Sequence, residues 1–186
     1  MIEVRALDLP GILEITARRF ADERGFFTES WSSKAFETVG LDHVYVQDNH
    51  SLTRAVGTLR GLHYQTPPFA QDKLVRVTHG AIFDVAVDIR RGSPTYGKWE
   101  GLTLSAAAGN QILVPQGFAH GFLTLEPDTE VQYKVTAPYS PEHDRAIRYD
   151  DPEIGIAWPI AVDEAAMSAK DRAAASLAEH DTGFAA

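Results

Sequence analysis

From Val44 onward, apolar and polar residues alternate with a period of two through short runs broken by Gly, Pro, Asn and Asp. Eight of these runs are predicted to be β-strands: 44–49, 57–64, 73–78, 81–89, 99–104, 111–114, 121–125 and 129–136. Upstream, 12–19 and 26–31 read as further strands, with 20–25 as the turn between them. Ser32 or Ser33 caps a short helix that runs to about Val39 and closes at Gly40. The stretch 163–179 is rich in Ala with Glu, Lys and Leu, and is predicted to be helical in part. Short strands with no helical crossovers predict a β-sandwich or barrel rather than a parallel α/β sheet. No repeat, linker or low-complexity segment interrupts the chain. The expectation is one domain, 1–186, with a helical C-terminal appendage.

Composition narrows the class. The 186 residues are enough for a sizeable core, and 44% apolar with 23% charged residues is ordinary for a soluble globular protein. No run is long and apolar enough to span a membrane, and the N-terminus lacks the layout of a signal peptide. Zero cysteines exclude disulfides and thiolate metal sites and are compatible with a cytoplasmic protein. The net charge of -9 disfavours a nucleic-acid binder. A small anionic ligand would need a local basic cluster, for which Arg24, Arg60, Lys73 and Lys170 are candidates. Any one of them taken alone is more often a solvated surface charge.

The candidate chemistry centres on Thr58-Leu-Arg-Gly-Leu-His-Tyr-Gln65. Arg60 and His63 are three apart, so a straight strand sends them to opposite faces. Gly61 between them can host a bulge that turns both toward one cavity, or can mark nothing more than a close backbone approach. In 81–89, Asp84 and Asp88 share a face with Ile82 and Ala86, and two carboxylates there read as a solvated face rather than a pocket lining. Tyr133 shares an apolar face with Val131 and Val135, which reads as a core tyrosine with its hydroxyl bonded.

A second stretch, Gly109 to His120, has the spacing G-x5-P-x-G-x2-H and presents His120 at a strand start. This spacing resembles the second motif of the cupin superfamily of small β-barrels. Metal-dependent cupins carry two His one residue apart in their first motif. Here Tyr64 and Gln65 follow His63, so the second His is missing. Two scattered imidazoles make a poor transition-metal site, and no catalytic metal is expected.

More motifs extend the resemblance. They are Phe20-Ala-Asp-Glu-Arg-Gly-Phe-Phe27, Gln47-Asp-Asn-His-Ser51, Leu59-Arg-Gly-Leu-His63, Gln71-Asp-Lys-Leu-Val75 and Phe83-Asp-Val-Ala-Val-Asp-Ile-Arg90. Ser93-Pro-Thr-Tyr-Gly97, Pro115-Gln-Gly-Phe-Ala-His-Gly-Phe122, Tyr133-Lys134 and Ser168-Ala-Lys-Asp171 follow. Together, over about residues 1–172, they resemble the dTDP-4-dehydrorhamnose 3,5-epimerases, metal-independent cupins of deoxysugar biosynthesis. The resemblance implies an all-β cupin or jelly-roll barrel with short flanking helices, including the C-terminal helical segment.

It also implies an isomerase that epimerises C3 and C5 of dTDP-4-dehydro-6-deoxy-glucose through an enolate, with no cofactor. His63 matches the family's base, and imidazole suits proton abstraction near neutral pH. Asp171 matches the carboxylate that orients it, Tyr133 the opposed proton donor, and Lys73 the cation near O4. Arg24, Glu29, Gln47, Asn49, Arg60, His120 and Lys170 match positions that contact nucleotide and sugar, and Tyr139 could offer an aromatic face to the base. Arg60 and Arg24 would neutralise the diphosphate. The family forms homodimers by sharing N-terminal strands, which would carry Arg24 and Glu29 to a partner's site. The resemblance therefore asks that the strand be irregular at Gly61, or that Arg60 reach the diphosphate from the rim.

The departure lies at Glu142–Asp151, where the family often has a Glu-Gly step and a Trp-Asn-Asp; here Asp144, Arg145, Tyr149 and Asp150 stand instead. The tail beyond Arg172 is expected to be a surface helix that helps position Asp171. Three alternatives remain at this point: a 3- or 5-mono-epimerase acting on a related nucleotide-linked 4-keto-6-deoxy sugar, a metal-dependent cupin oxygenase, and a non-catalytic sugar-nucleotide binder.

Overall fold

The computed structural model describes residues 2–185. Its strands are β1 (Ile2–Ala6), β2 (Leu13–Ala17), β3 (Arg19–Asp22), β4 (Gly25–Thr28), β5 (Gln47–Thr53), β6 (Leu59–Gln65) and β7 (Lys73–His79). They continue with β8 (Ala81–Asp88), β9 (Trp99–Ser105), β10 (Asn110–Val114), β11 (Phe118–Thr124), β12 (Thr129–Val135) and β13 (Asp144–Ala146). Two short helices, α1 (Ser33–Glu37) and α2 (Ala169–Arg172), flank them. Two antiparallel sheets form the barrel, in the orders β1-β2-β10-β7-β12-β5 and β13-β6-β11-β8-β9. Strands β3 and β4 form a separate hairpin. This is the jelly-roll architecture that the family resemblance implies, within the sandwich-or-barrel class that the strand pattern predicts.

Side-chain alternation explains the layers. Val75 and Val77 of β7, Ile112 and Val114 of β10, Val131 of β12, Ile82 and Ala86 of β8, and Phe118 and Phe122 of β11 fill the barrel interior. The opposite face of the first sheet, with Ile15, Leu74 and Leu113, is covered by Phe36 of α1 and by Leu41. The opposite face of the second sheet, with Leu62, Tyr64, Val85, Val87 and Ala119, is covered by Ile147, Ile154 and Leu177. Each sheet is thus buried on both faces along part of its length, which blurs alternation in the sequence.

Several elements differ from expectation. The strand expected at 26–31 ends at Thr28, and 20–22 belongs to β3 rather than to a turn. The strand expected from Val44 begins at Gln47, with Val44 and Val46 exposed. Strand β11 starts at Phe118, so His120 lies inside it rather than at its start. Strands β1 and β13 were not predicted. The appendage over 163–179 is helical only in fragments: a 3-10 turn at Glu164–Ala166, α2, and a 3-10 turn at Leu177–Glu179. Beyond Arg172 the expected surface helix is absent. The chain instead lies against the second sheet, bridging Ile147 through Ala175 and burying Leu177.

The face carrying Asp84 and Asp88 is likewise not solvated. Both carboxylates are fully buried. Their neighbours on that face, Ile82 and Ala86, belong to the interior cluster, so the face points into the barrel.

Candidate active site

The site begins with a defect in a strand. His63 of β6 pairs with His120 of β11, and Arg60 pairs with Phe122. Two residues of β6 therefore oppose one of β11, which is a bulge at Gly61 and Leu62. Leu62 packs into the outer cluster, and both Arg60 and His63 fall on the barrel side. Gly61 is required twice. Its φ of +132° is in the region L side chains rarely adopt, and a Cβ there would sit 2.5 Å from the Gly121 Cα. Of the two arrangements expected for Arg60 and His63, the irregular strand at Gly61 is the one present.

Asp171 reaches this strand from the tail, 108 residues further along the chain. Ser168 caps α2 by accepting the Asp171 amide at 3.1 Å. The Asp171 carboxylate lies 2.6 Å from His63 Nε2. Burial pushes that carboxyl up, but hydrogen bonding from His63, its nearby charge, Ser168 and the Gly61 amide outweigh this and hold it below the usual range. The imidazole is a third exposed while its aspartate is nearly enclosed, so the ring is accessible and its partner is not.

Lys73 starts β7 on the inward face, and its Nζ donates to the His63 carbonyl at 3.2 Å. Burial pushes its ammonium down to about 8, although Asp144 and Asp84 pull the other way. Tyr133 lies two positions along β12 from Val135, the register partner of Lys73. Burial raises the Tyr133 phenol above its ordinary value; Arg60 opposes the rise and Asp144 adds to it. Asn49 is the register partner of Tyr133 on β5.

These side chains share a cavity of about 300 Å³ lined by Gln47, Asn49, His63, Lys73, Tyr133, Tyr139, Asp144 and Lys170, with Gln65 and Gln71. The Gln47 side chain donates to Asn49 at 2.8 Å and accepts the Tyr139 amide at 3.0 Å. Gln65 ties the surrounding loops by donating to the Phe69 and Pro138 carbonyls and accepting the Ser140 amide. Asp144 is the residue the sequence singled out only as a departure. It pairs with Lys170 and accepts the Tyr139 hydroxyl at 3.1 Å.

The remaining predicted residues are placed differently. Arg60 donates to Thr53 Oγ1 at 3.0 Å and sits close enough to Tyr133 to influence it. His120 is buried, with Nε2 2.9 Å from both oxygens of Asp84. Arg24 and Glu29 stay outside the cavity; Arg24 is exposed at the β3–β4 turn and pairs with Asp22. Sequence reasoning missed Asp84, and the signal was available: its neighbours two positions away, Ile82 and Ala86, are apolar.

The arrangement offers an accessible imidazole with a fixed carboxylate, a buried cation and a phenol around one space. That set can remove a proton from carbon, stabilise the resulting oxyanion and return a proton.

Comparison with known proteins agrees. A family model described as dTDP-4-dehydrorhamnose 3,5-epimerase matches residues 6–179. The chain is 52% identical to a dTDP-4-dehydrorhamnose 3,5-epimerase of Sinorhizobium fredii over 97% of this chain and 92% of that one. It is 49% identical to one of Pseudomonas aeruginosa, over 94% and 96%. Its fold is similar to the crystal structure of a dTDP-6-deoxy-D-glucose-3,5-epimerase from Legionella pneumophila in complex with dTDP-4-keto-L-rhamnose. That match has a TM-score of 0.91 and 42% identity and covers 97% and 95% of the two chains. By fold, sequence and the extent of both matches, this chain belongs to the dTDP-4-dehydrorhamnose 3,5-epimerase family.

Proposed function

We infer that this protein is an isomerase that inverts C3 and C5 of dTDP-4-dehydro-6-deoxy-glucose to give dTDP-4-dehydro-L-rhamnose. The observation that carries the chemistry is the His63–Asp171 pair opening onto the cavity that Lys73 and Tyr133 also line. Protons on C3 and C5 are acidic because each is α to the C4 ketone. His63 takes one; the C–H electron pair moves into the C3–C4 or C5–C4 bond, and charge collects on O4. Lys73 meets that charge, which is larger in the transition state than in the ketone. Tyr133 then delivers its hydroxyl proton to the opposite face of the same carbon. Asp171 keeps the imidazole oriented and stabilises it once protonated.

Gln47, Asn49, Arg60, His120, Tyr139 and Lys170 are assigned to substrate binding, with Arg60 assigned to the diphosphate. Arg24 and Glu29 are assigned to the site of a partner subunit. Supporting this, Phe20, Phe26 and Phe27 are exposed on the β3–β4 hairpin, an apolar surface that a second copy would cover. Among the described residues no helix is long and apolar enough to cross a membrane. The reading carries with it a cytoplasmic homodimer supplying deoxysugar for cell-surface polysaccharide.

Turnover of the keto-sugar nucleotide in deuterated water tests the assignment, because the proton returned to carbon comes from a hydroxyl that exchanges with solvent. Deuterium at both C3 and C5 is expected. Label at neither would contradict epimerisation. Label at one alone would identify a mono-epimerase, the activity named for a Streptomyces bikiniensis protein of similar fold, 31% identical with a TM-score of 0.86.

A further inference from the structure

We propose that Asp84 is a positioning residue of this site: its enclosed carboxylate fixes the His120 ring and acts as counter-charge to the Lys73 ammonium. The inference rests on the epimerase reading above. Asp84 has no exposed surface and lies on the interior face of β8 between Ile82 and Ala86. A carboxylate placed there costs several kcal/mol unless it is paired. The barrel would be filled as well by an apolar side chain, so stability does not explain this residue.

Its partners do. His120 Nε2 lies 2.9 Å from each oxygen, so the ring donates from that nitrogen and cannot turn without breaking the contact. Nδ1 makes no hydrogen bond among the described residues and is not among the enclosed unpartnered atoms, which leaves it for a ligand. His120 is also the register partner of His63, so the two imidazoles sit on neighbouring strands with separate aspartates.

Asp84 does not touch Lys73 but lies close to it: the Lys73 ammonium donates to the carbonyl of His63, whose register partner His120 is bonded to Asp84. The polar groups around Lys73 are the His63 carbonyl on β6, Asp84 on β8, Asp144 on β13, Lys170 on α2 and Tyr133 on β12. Around His120 they are Asp84 and His63. Arg60 and Asp88 also point into the barrel, Arg60 bonded to Thr53 and Asp88 paired with Arg90, while Val75, Val77, Ile112, Val114 and Phe122 are apolar. Asp144 is committed to Lys170 and Tyr139 and is partly exposed, so water and an anionic ligand both weaken its hold. Asp84 is out of reach of both. A fixed charge in a dry surrounding acts more strongly than a solvated one. It favours the protonated lysine, the form able to meet an oxyanion at O4.

Asp84→Asn keeps the shape and one acceptor oxygen and removes the charge. In wild type the alkaline limb of kcat/KM is expected to report loss of the Lys73 proton. In the variant that limb moves to lower pH by about one unit or more, and kcat at neutral pH falls about tenfold or more, with a smaller change in KM. His120→Asn lowers activity and leaves the limb in place. A limb unmoved in Asp84→Asn, with only a lower Tm, would mean a purely structural residue and overturn the proposal.

Should Asp84→Asn fail to fold, nitrogen NMR of the wild-type His120 ring decides. A proton on Nε2 protected from exchange supports the proposal, and a bare Nε2 with the proton on Nδ1 contradicts it. A wild-type protein that labels neither carbon overturns the epimerase reading instead, and the NMR result still decides the hold of Asp84 on His120.

Discussion

His63 and His120 are register partners on β6 and β11, and each is bonded through Nε2 to an aspartate. The pairs differ in access. His63 is a third exposed, whereas His120 shows only a small part of its ring and Asp84 none. They also differ in origin: Asp84 stands on β8, the neighbouring strand of β11, while Asp171 is delivered by a four-residue helix in the tail. The same two residue types thus serve different ends. A pair open to the cavity can exchange a proton with a ligand, and an enclosed pair is a fixed electrostatic feature. Lys73 lies within the field of both, touching the His63 carbonyl and feeling Asp84.

Breaking the open pair should cost chemistry first. Asp171→Asn leaves a side chain of the same size and removes the charge that stabilises protonated His63. A fall in kcat of about 10²–10³-fold is expected, with KM changed little, measured by steady-state kinetics at neutral pH. An equal loss from Asp84→Asn with an unshifted pH profile would erase the distinction between the pairs.

Lys73 sharpens the comparison through stability. Its folded-state value near 8 is below that of a free lysine, so folding favours the neutral amine. The protonated lysine therefore destabilises the ligand-free fold fully below about pH 8, and the cost is relieved as pH rises toward about 10. Lys73→Met is expected to abolish turnover and yet raise stability by about 2–3 kcal/mol at pH 7. That gain should shrink at pH 9.5, read by denaturant unfolding at the two pH values. The smallest effect belongs to Ser168→Ala, which removes the cap that presents Asp171. It should cost about 1 kcal/mol in stability and a few-fold in kcat.

Sequence periodicity carried much of the barrel because strands such as β9 and β12 alternate cleanly. It raised the bulge as one of the open readings of Gly61, because a straight β6 would send Arg60 and His63 to opposite faces, and the register of β6 on β11 shows the break. It failed where both faces are covered. Strand β11 is buried at every position, so its start could not be seen in the alternation. Strand β13 is too short to show a period. Asp84 looked solvated because a carboxylate on an alternating strand usually is, although its apolar neighbours Ile82 and Ala86 pointed inward, and its buried partner His120 shows why it is tolerated there. Asp171 could not be tied to His63 by spacing, and resemblance alone connected them. The contact that makes the link is tertiary and spans the chain.

The central claim is that His63, held by Asp171, removes the protons from both carbons. Deuterium incorporation at C3 and C5 of the keto-sugar nucleotide, compared between wild type and His63→Asn in deuterated water, tests it most directly. The account predicts label at both carbons with wild type and at neither with the variant. Label appearing at either carbon in His63→Asn at the wild-type rate would contradict it.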